Sequence, residues 1–240
     1  MHAGSNSQVA TRALRAGGQQ ENMNNSWNTT SNDLAPTIRI QNEMAKKVIS
    51  DDTHNKEITY ICGVDVAYRN DIACCSAVLM NKNTLEIKDS INLTMNVKHP
   101  YVRSFFMLRE SEVIINILKP LRNRFDLLLI DGHGVLHPRG CGLASYVGIL
   151  IDTPTIGVAK SMLCGKVGAD HFIDVDGVIS GFELIKEKKK PIYISVGHKI
   201  SLLNAIRIIT QLVRPKERIP EPVRLADINS KVLAHSITSR

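Results

Sequence analysis

Leu127-Leu128-Leu129-Ile130-Asp131-Gly132-His133-Gly134-Val135-Leu136-His137-Pro138-Arg139-Gly140 is the stretch whose reading decides the fold. Four apolar residues followed at once by turn formers read as a buried central strand. The strand ends on a carboxylate, and glycines and histidines follow it. In α/β sheets ligands bind at the exit of a central strand, because the loops there leave a crevice. Asp131 is therefore either the cap of a turn or a rigidly placed functional group, with glycines beside it that let a substrate backbone approach. What the rest of the chain brings to meet Asp131 decides between the two.

The 240 residues, 43% of them apolar, suffice for one ordinary domain with a full core. Residues 36–240 are expected to form that single catalytic domain. Residues 1–35 are rich in Asn, Gln, Ser, Gly and Thr, so a disordered leader is expected there, with Trp27 given no chemistry. Thirty Lys and Arg against 23 Asp and Glu leave a net charge of +7, which favours an anionic partner, nucleic acid foremost. There is no apolar run of the roughly 18 residues a membrane span needs and no apolar segment of a secretion signal. A cytoplasmic monomer is expected. Cys62, Cys74, Cys75, Cys141 and Cys164 include no C-x-x-C pair, so reduced, buried thiols are expected rather than a zinc site.

Around the central strand the pattern predicts a mixed α/β sheet. A helix is expected from Ile38 to Ile49, with Ile38, Met44, Ala45, Val48 and Ile49 inward. Three strands, Tyr60 to Tyr68, Ile72 to Met80 and Leu85 to Val97, are joined by short turns and read as an antiparallel meander. Phe105 to Leu118 reads as a helix with Phe106, Val113, Ile114, Ile117 and Leu118 on its core stripe. After the central strand come a buried helix from Gly142 to Leu150, strands at Thr155 to Lys160 and Ile192 to Val196, and a helix from Ser201 to Leu212. Pro215 to Arg224 is proline- and charge-rich and reads as a surface segment.

Three carboxylates stand on separate elements: Asp65 on the first strand, Glu110 on the helix after the meander, and Asp131. Gathering them is costly unless a cation neutralises them. Hard oxygen ligands that leave positions for water and phosphate suit Mg²⁺, with Mn²⁺ able to substitute, and such a site breaks phosphodiesters. Lys160, at a strand end, can hold a phosphate or orient water, and His137 and His198 each end a turn. Structural roles stand against each: a turn cap for Asp131, helix-dipole stabilisation for Glu110, a surface stem for Lys160 and packing for the histidines. Gly132-His133-Gly134 is no dinucleotide fingerprint, because His137 stands where the third glycine belongs. No P-loop, zinc-protease helix or nucleophile elbow occurs.

The motifs resemble those of the endonuclease V family. Ile61-Cys62-Gly63-Val64-Asp65-Val66-Ala67-Tyr68 is similar to its first motif. Pro100-Tyr101-Val102 with Phe106-Met107-Leu108-Arg109-Glu110 is similar to its second. Asp131-Gly132-His133-Gly134, His137-Pro138-Arg139 and Gly142-Leu143-Ala144-Ser145 resemble its third, and Thr155 to Lys160 its fourth. Ser195-Val196-Gly197-His198 and Pro220 to Arg224 with Ala226-Asp227 resemble its closing motifs.

The resemblance implies a ribonuclease H-like mixed sheet: three antiparallel strands, then parallel ones, flanked by helices. It also implies Mg²⁺-dependent cleavage of DNA carrying deaminated adenine, at the second phosphodiester 3′ to the lesion. Asp65, Glu110 and Asp131 would hold the metal, and Lys160, His137 and His198 would assist at the phosphate. Tyr101 would fill the gap left by the flipped base. Arg103, at a place where the family commonly has proline or a small residue, would add a phosphate or stacking contact, and Arg139 would touch DNA. Backbone amides between Gly132 and Gly142, those of Gly132 and Gly134 among them, would read the 6-oxo group that separates hypoxanthine from adenine.

Family members divide between DNA and RNA, so inosine-containing single-stranded RNA is the alternative substrate. A binding module with a dead site would lack one of the three carboxylates, and all three are present. A metal-independent small-molecule hydrolase would need a nucleophile motif that the chain lacks.

Overall fold

The computed structural model describes residues 12–14, 34–53, 57–100, 102–187 and 189–237. In chain order these form β1 (Arg12–Leu14), α1 (Ala35–Ala45), β2 (Tyr60–Arg69), β3 (Ile72–Asn81), β4 (Ile87–Asn96), α2 (Phe106–Leu118) and β5 (Leu127–Asp131). There follow α3 (Leu143–Ile151), β6 (Thr155–Ala159), β7 (Lys166–Val167), β8 (Phe172–Val175), β9 (Val178–Leu184), β10 (Ile192–His198), α4 (Leu202–Leu212) and α5 (Glu221–Ser236).

All the strands lie in one sheet, ordered β1-β4-β3-β2-β5-β6-β10-β9-β8-β7. The meander β2-β3-β4 is antiparallel as expected, and β2, β5 and β6 are parallel neighbours. Beyond β6 the direction reverses. β10 is antiparallel to β6 and to β9, and β8 is antiparallel to β9 and β7. The expected run of parallel strands therefore stops at β6. Strands β7 to β9 were not anticipated, although Asp176 and Gly177, both with positive φ, form a turn of the kind that closes a hairpin.

Each face of the sheet carries its own core. Alternate residues of the central strands, Cys62, Val64, Leu128 and Ile130, pack with Val113, Ile114 and Ile117 of α2 and with Ala144 and Val147 of α3. The intervening residues, Ile61, Leu127, Leu129, Ile156 and Val158, pack with Ile208 and Ile209 of α4 and with Val223 of α5. This is the three-layer solution open to a sheet that is apolar on both faces. The cysteines are free; Cys62, Cys74, Cys75 and Cys141 are buried and Cys164 is half-buried.

Three expectations change. The first helix spans Ala35–Ala45 rather than Ile38 to Ile49, because Pro36 falls in its first turn, where a missing N–H is harmless. Its buried residues are Thr37, Gln41 and Met44, whereas Ile38 and Ile49 are exposed. The segment Pro215 to Arg224 is not simply surface. Pro220, Glu221, Pro222 and Val223 are buried, and they start α5, a helix the sequence reading missed. Within the expected leader, Arg12–Leu14 pairs in parallel with Ile91 to Leu93 of β4, and Arg12 reaches Asp89 at 2.7 Å. Trp27 lies outside the described residues.

Candidate active site

The parallel ladder of β2 and β5 runs from Ile61 opposite Leu127 to Val64 opposite Ile130. One step further along it stand Asp65 and Asp131. Side chains alternate along a strand, so both point to the face of Ile61, Leu127 and Leu129. Val158 of β6 pairs with Asp131, and Lys160, two residues on, extends the same face. Helix α5 closes that face from above. A Cβ on Gly63 would lie 2.3 Å from the backbone carbon of Pro222, so only glycine lets the helix lie so close. The docked helix carries Asp227 and Ser230 onto the carboxylates.

Asp65, Asp131 and Asp227 each present an oxygen within 4.8 Å of the others. Ser230 Oγ donates to Asp65 Oδ2 at 2.7 Å. Lys160 Nζ contacts Asp131 Oδ2 and lies 2.5 Å from Asp227 Oδ1. Lys231 Nζ holds the other oxygen of Asp227 at 2.7 Å. Glu110 arrives from α2 on the opposite face, where Tyr68 Oη donates to its Oε1 at 3.0 Å. It feels the charges of Asp65 and Asp131, but it stands outside the three-carboxylate group.

Burial and the neighbouring Asp65 carboxylate push Asp131 up to about 7, with Lys160 opposing. Burial pushes Glu110 up to about 8 against the Tyr68 hydrogen bond. At Asp227 burial also acts upward, but hydrogen bonds from Lys160 and Lys231 outweigh it and hold the group below the usual range. Asp131 and Glu110 are thus carboxylates short of positive charge. The donors are all hard oxygens, which suit Mg²⁺, and the Lys160 ammonium already stands among them as a cation. The residues therefore fit a divalent ion.

The loop after Asp131 is bound to the protein rather than open. Gly134 N donates to Ser195 Oγ at 2.8 Å, and its missing Cβ would overlap Val196 O at 1.9 Å. The amides of Gly132, Gly140 and Gly142 go to Val158 O, His137 O and Gly134 O. In this structure the glycine amides of the loop bond internally, and the bare Cα of Gly134 makes room for β10.

His137 and Arg139 are also engaged. Ser104 O accepts from His137 Nε2 at 3.0 Å, from Arg139 at 2.9 Å and from Gln41 Nε2 at 3.1 Å. His137 Nδ1 accepts from Arg139 N at 3.2 Å, and burial lowers the ring to about 4. Both nitrogens are committed here, so His137 is a neutral brace of the turn in this structure. Arg139 braces the same turn and stacks over Phe105. Arg103 is exposed on that turn, and Tyr101 lies outside the described residues. Between turn and loop is a slot of about 10 Å³, lined in part by Ser104, Met107, His133 and Leu143.

His198 is not brought to the carboxylates. It pairs with Thr155 at the start of β6, at the opposite end of the sheet from Lys160. There its Nδ1 accepts from Ile49 N at 3.3 Å. Asp227 is the residue that sequence reasoning passed over. It stood in a closing motif of the resemblance, but no role followed, because the surface reading ended at Arg224 and no helix was expected beyond it.

The sequence profile described as Endonuclease V matches residues 42–228. The endonuclease V of Dictyoglomus thermophilum is 39% identical over 203 residues, covering 81% of this chain and 88% of that protein. The one from Thermofilum pendens is 35% identical over 201 residues, covering 82% and 87%. The catalytic domain of human endonuclease V superposes with a TM-score of 0.75 at 32% identity, over 83% of this chain and 94% of that one. Ciona intestinalis endonuclease V, solved with a 24mer DNA containing an inosine followed by a ribo-adenosine, gives 0.77 at 27% identity, over 85% and 99%. The sheet described above is accordingly the ribonuclease H-like one. With its profile match, its relatives and its carboxylate-lined strand ends, the chain belongs to the endonuclease V family of phosphodiester-hydrolysing nucleases.

Proposed function

We propose that the protein cuts DNA at the second phosphodiester bond 3′ to a deaminated adenine, leaving 3′-hydroxyl and 5′-phosphate ends for repair. The observation that carries this reading is the meeting of Asp65, Asp131 and Asp227 within 4.8 Å, with Lys160 among them. The three aspartates, with Glu110 beside them, would hold Mg²⁺ or Mn²⁺. When bound, such an ion would polarise the phosphodiester, orient a water for attack and stabilise charge on the leaving oxygen.

The chain's own residues do the rest. Ser230 fixes the rotamer of Asp65, and Tyr68 fixes that of Glu110. Lys160 is close enough to the carboxylates to meet the scissile phosphate. Tyr101 fills the stack when the base leaves it. A slot of about 10 Å³ holds at most a water, so a base enters only when the Ser104 turn draws away from the loop between Gly132 and Cys141. Gln41, His137 and Arg139, which converge on Ser104, set the resistance to that opening.

Inosine in RNA is the second reading. It is supported by the Ciona relative, whose bound DNA carries a ribo-adenosine after the inosine. One assay tests both: nicking with Mg²⁺ of matched strands carrying deoxyinosine, inosine in RNA, uracil or no lesion, with the ends mapped. Cutting confined to deoxyinosine, and lost in Asp65→Asn and Asp227→Asn, is expected. Equal cutting of the unmodified strand, or full activity in both variants, overturns the proposal, and preference for the RNA moves it to the second reading.

A further inference from the structure

We propose that Lys160 is an exchangeable counter-ion. Its ammonium holds the cation position among Asp65, Asp131 and Asp227 until a divalent ion takes it, and the freed side chain then turns to the scissile phosphate. This rests on the metal site proposed above and deepens it.

Geometry is the first ground. Lys160 Nζ donates to Asp131 Oδ2 and Asp227 Oδ1, oxygens of two of the three carboxylates that a metal would need. Ammonium and metal cannot both occupy them, so the two compete. The second ground is the stem. Arg218 grips the backbone at this point, donating to Lys160 O and Pro191 O, each at 2.6 Å. The root of the side chain is clamped, while four methylenes leave the head free to swing.

The third ground is charge. Breaking a buried pair and leaving a carboxylate bare is strongly unfavourable. A metal-free site with Lys160 in place avoids that state, and so does a metal-bound site with Lys160 withdrawn. Lys231, the other ammonium on Asp227, takes the outer oxygen and is more than half exposed. It lies outside the contested position and provides an internal control of equal charge.

The arrangement couples two binding events. The ion frees an ammonium that then favours phosphate, and by reciprocity a phosphate that holds the ammonium favours the ion.

The test is Mn²⁺ titration of the full chain without nucleic acid, read by the electron paramagnetic resonance of free Mn²⁺. Wild type, Lys160→Met, Lys231→Met and Asp131→Asn are compared. If the ammonium-out state is a tenth or less of the population, Lys160→Met binds about tenfold tighter or more. Lys231→Met, which removes an exposed pair, tightens binding by less than about threefold. Equal tightening in the two lysine variants would reduce the effect to net charge and overturn the exchange. Weaker binding by Lys160→Met would overturn it as well.

Failure of the underlying site looks different: Asp131→Asn then binds Mn²⁺ as wild type does, or no protein binds it, and the exchange falls with the site. Thermal unfolding guards against a misfolded variant. Metal-free Lys160→Met should melt below wild type, and Mn²⁺ should raise its Tm by more than it raises that of wild type. A smaller rise counts against the proposal. Finally, Ca²⁺ should strengthen binding of an uncut lesion strand by wild type more than by Lys160→Met, and equal strengthening would remove the phosphate half of the proposal.

Discussion

A carboxylate among apolar neighbours lowers its energy by taking a proton or by taking a cation. Glu110 and Asp131 do both by turns: without metal they hold protons up to about pH 8 and 7. The sign for stability follows. Between about 4.5, its ordinary value, and about 8, Glu110 is protonated in the folded chain and ionised in the unfolded one. Rising pH therefore lowers stability across that window. Glu110→Gln removes this titration and keeps an acceptor for Tyr68. In a chelator, its Tm should fall less than that of wild type between pH 5 and 8; Asp131 adds a slope of the same sign, and the buried His133 and His137, lowered to about 4, oppose it below about 6.5 in both proteins. Parallel curves would mean that Glu110 is already ionised in the metal-free fold. At the same scale, His137 was read as a phosphate ligand from its place in a motif. Residue type could not disclose that both of its nitrogens bind the backbone of the loop and of a turn 33 residues away.

Among the elements, α5 does most to build the site and was the least legible. The central strand, the meander and α2 stand out in sequence because apolar periodicity marks them, and the Asp65–Asp131 adjacency follows once β2 and β5 pair in register. Helix α5 shows weak periodicity, opens on Pro220-Glu221-Pro222 and carries charges, so composition alone reads it as surface. Its burial is decided by a partner far away in sequence, the bare backbone of Gly63. Gly63→Ala places a methyl 2.3 Å from Pro222, and overpacking of that kind costs about 1–3 kcal/mol. Urea unfolding should show that loss, and Mn²⁺ affinity should fall with it as Asp227 is lifted away. Loss of stability with unchanged Mn²⁺ affinity would separate the helix from the metal site. Strands β7 to β9, and the reversed direction of β10, escaped for another reason: short antiparallel pairs depend on register, which a single chain does not display.

For the whole molecule, the charge of +7 predicts an electrostatic share in binding nucleic acid. Affinity for a lesion strand should drop by about tenfold or more between about 50 and 200 mM salt. A flat response would confine recognition to neutral contacts. Among the described residues no helix is long and apolar enough to cross a membrane. The fold class was legible because it rests on pattern, and the site was half legible because it rests on meetings between distant segments. The last of those meetings spans the greatest distance. Ser230 bonds to Asp65 across 165 residues, so a local opening of α5 takes the carboxylate cluster apart while the sheet beneath it stays folded.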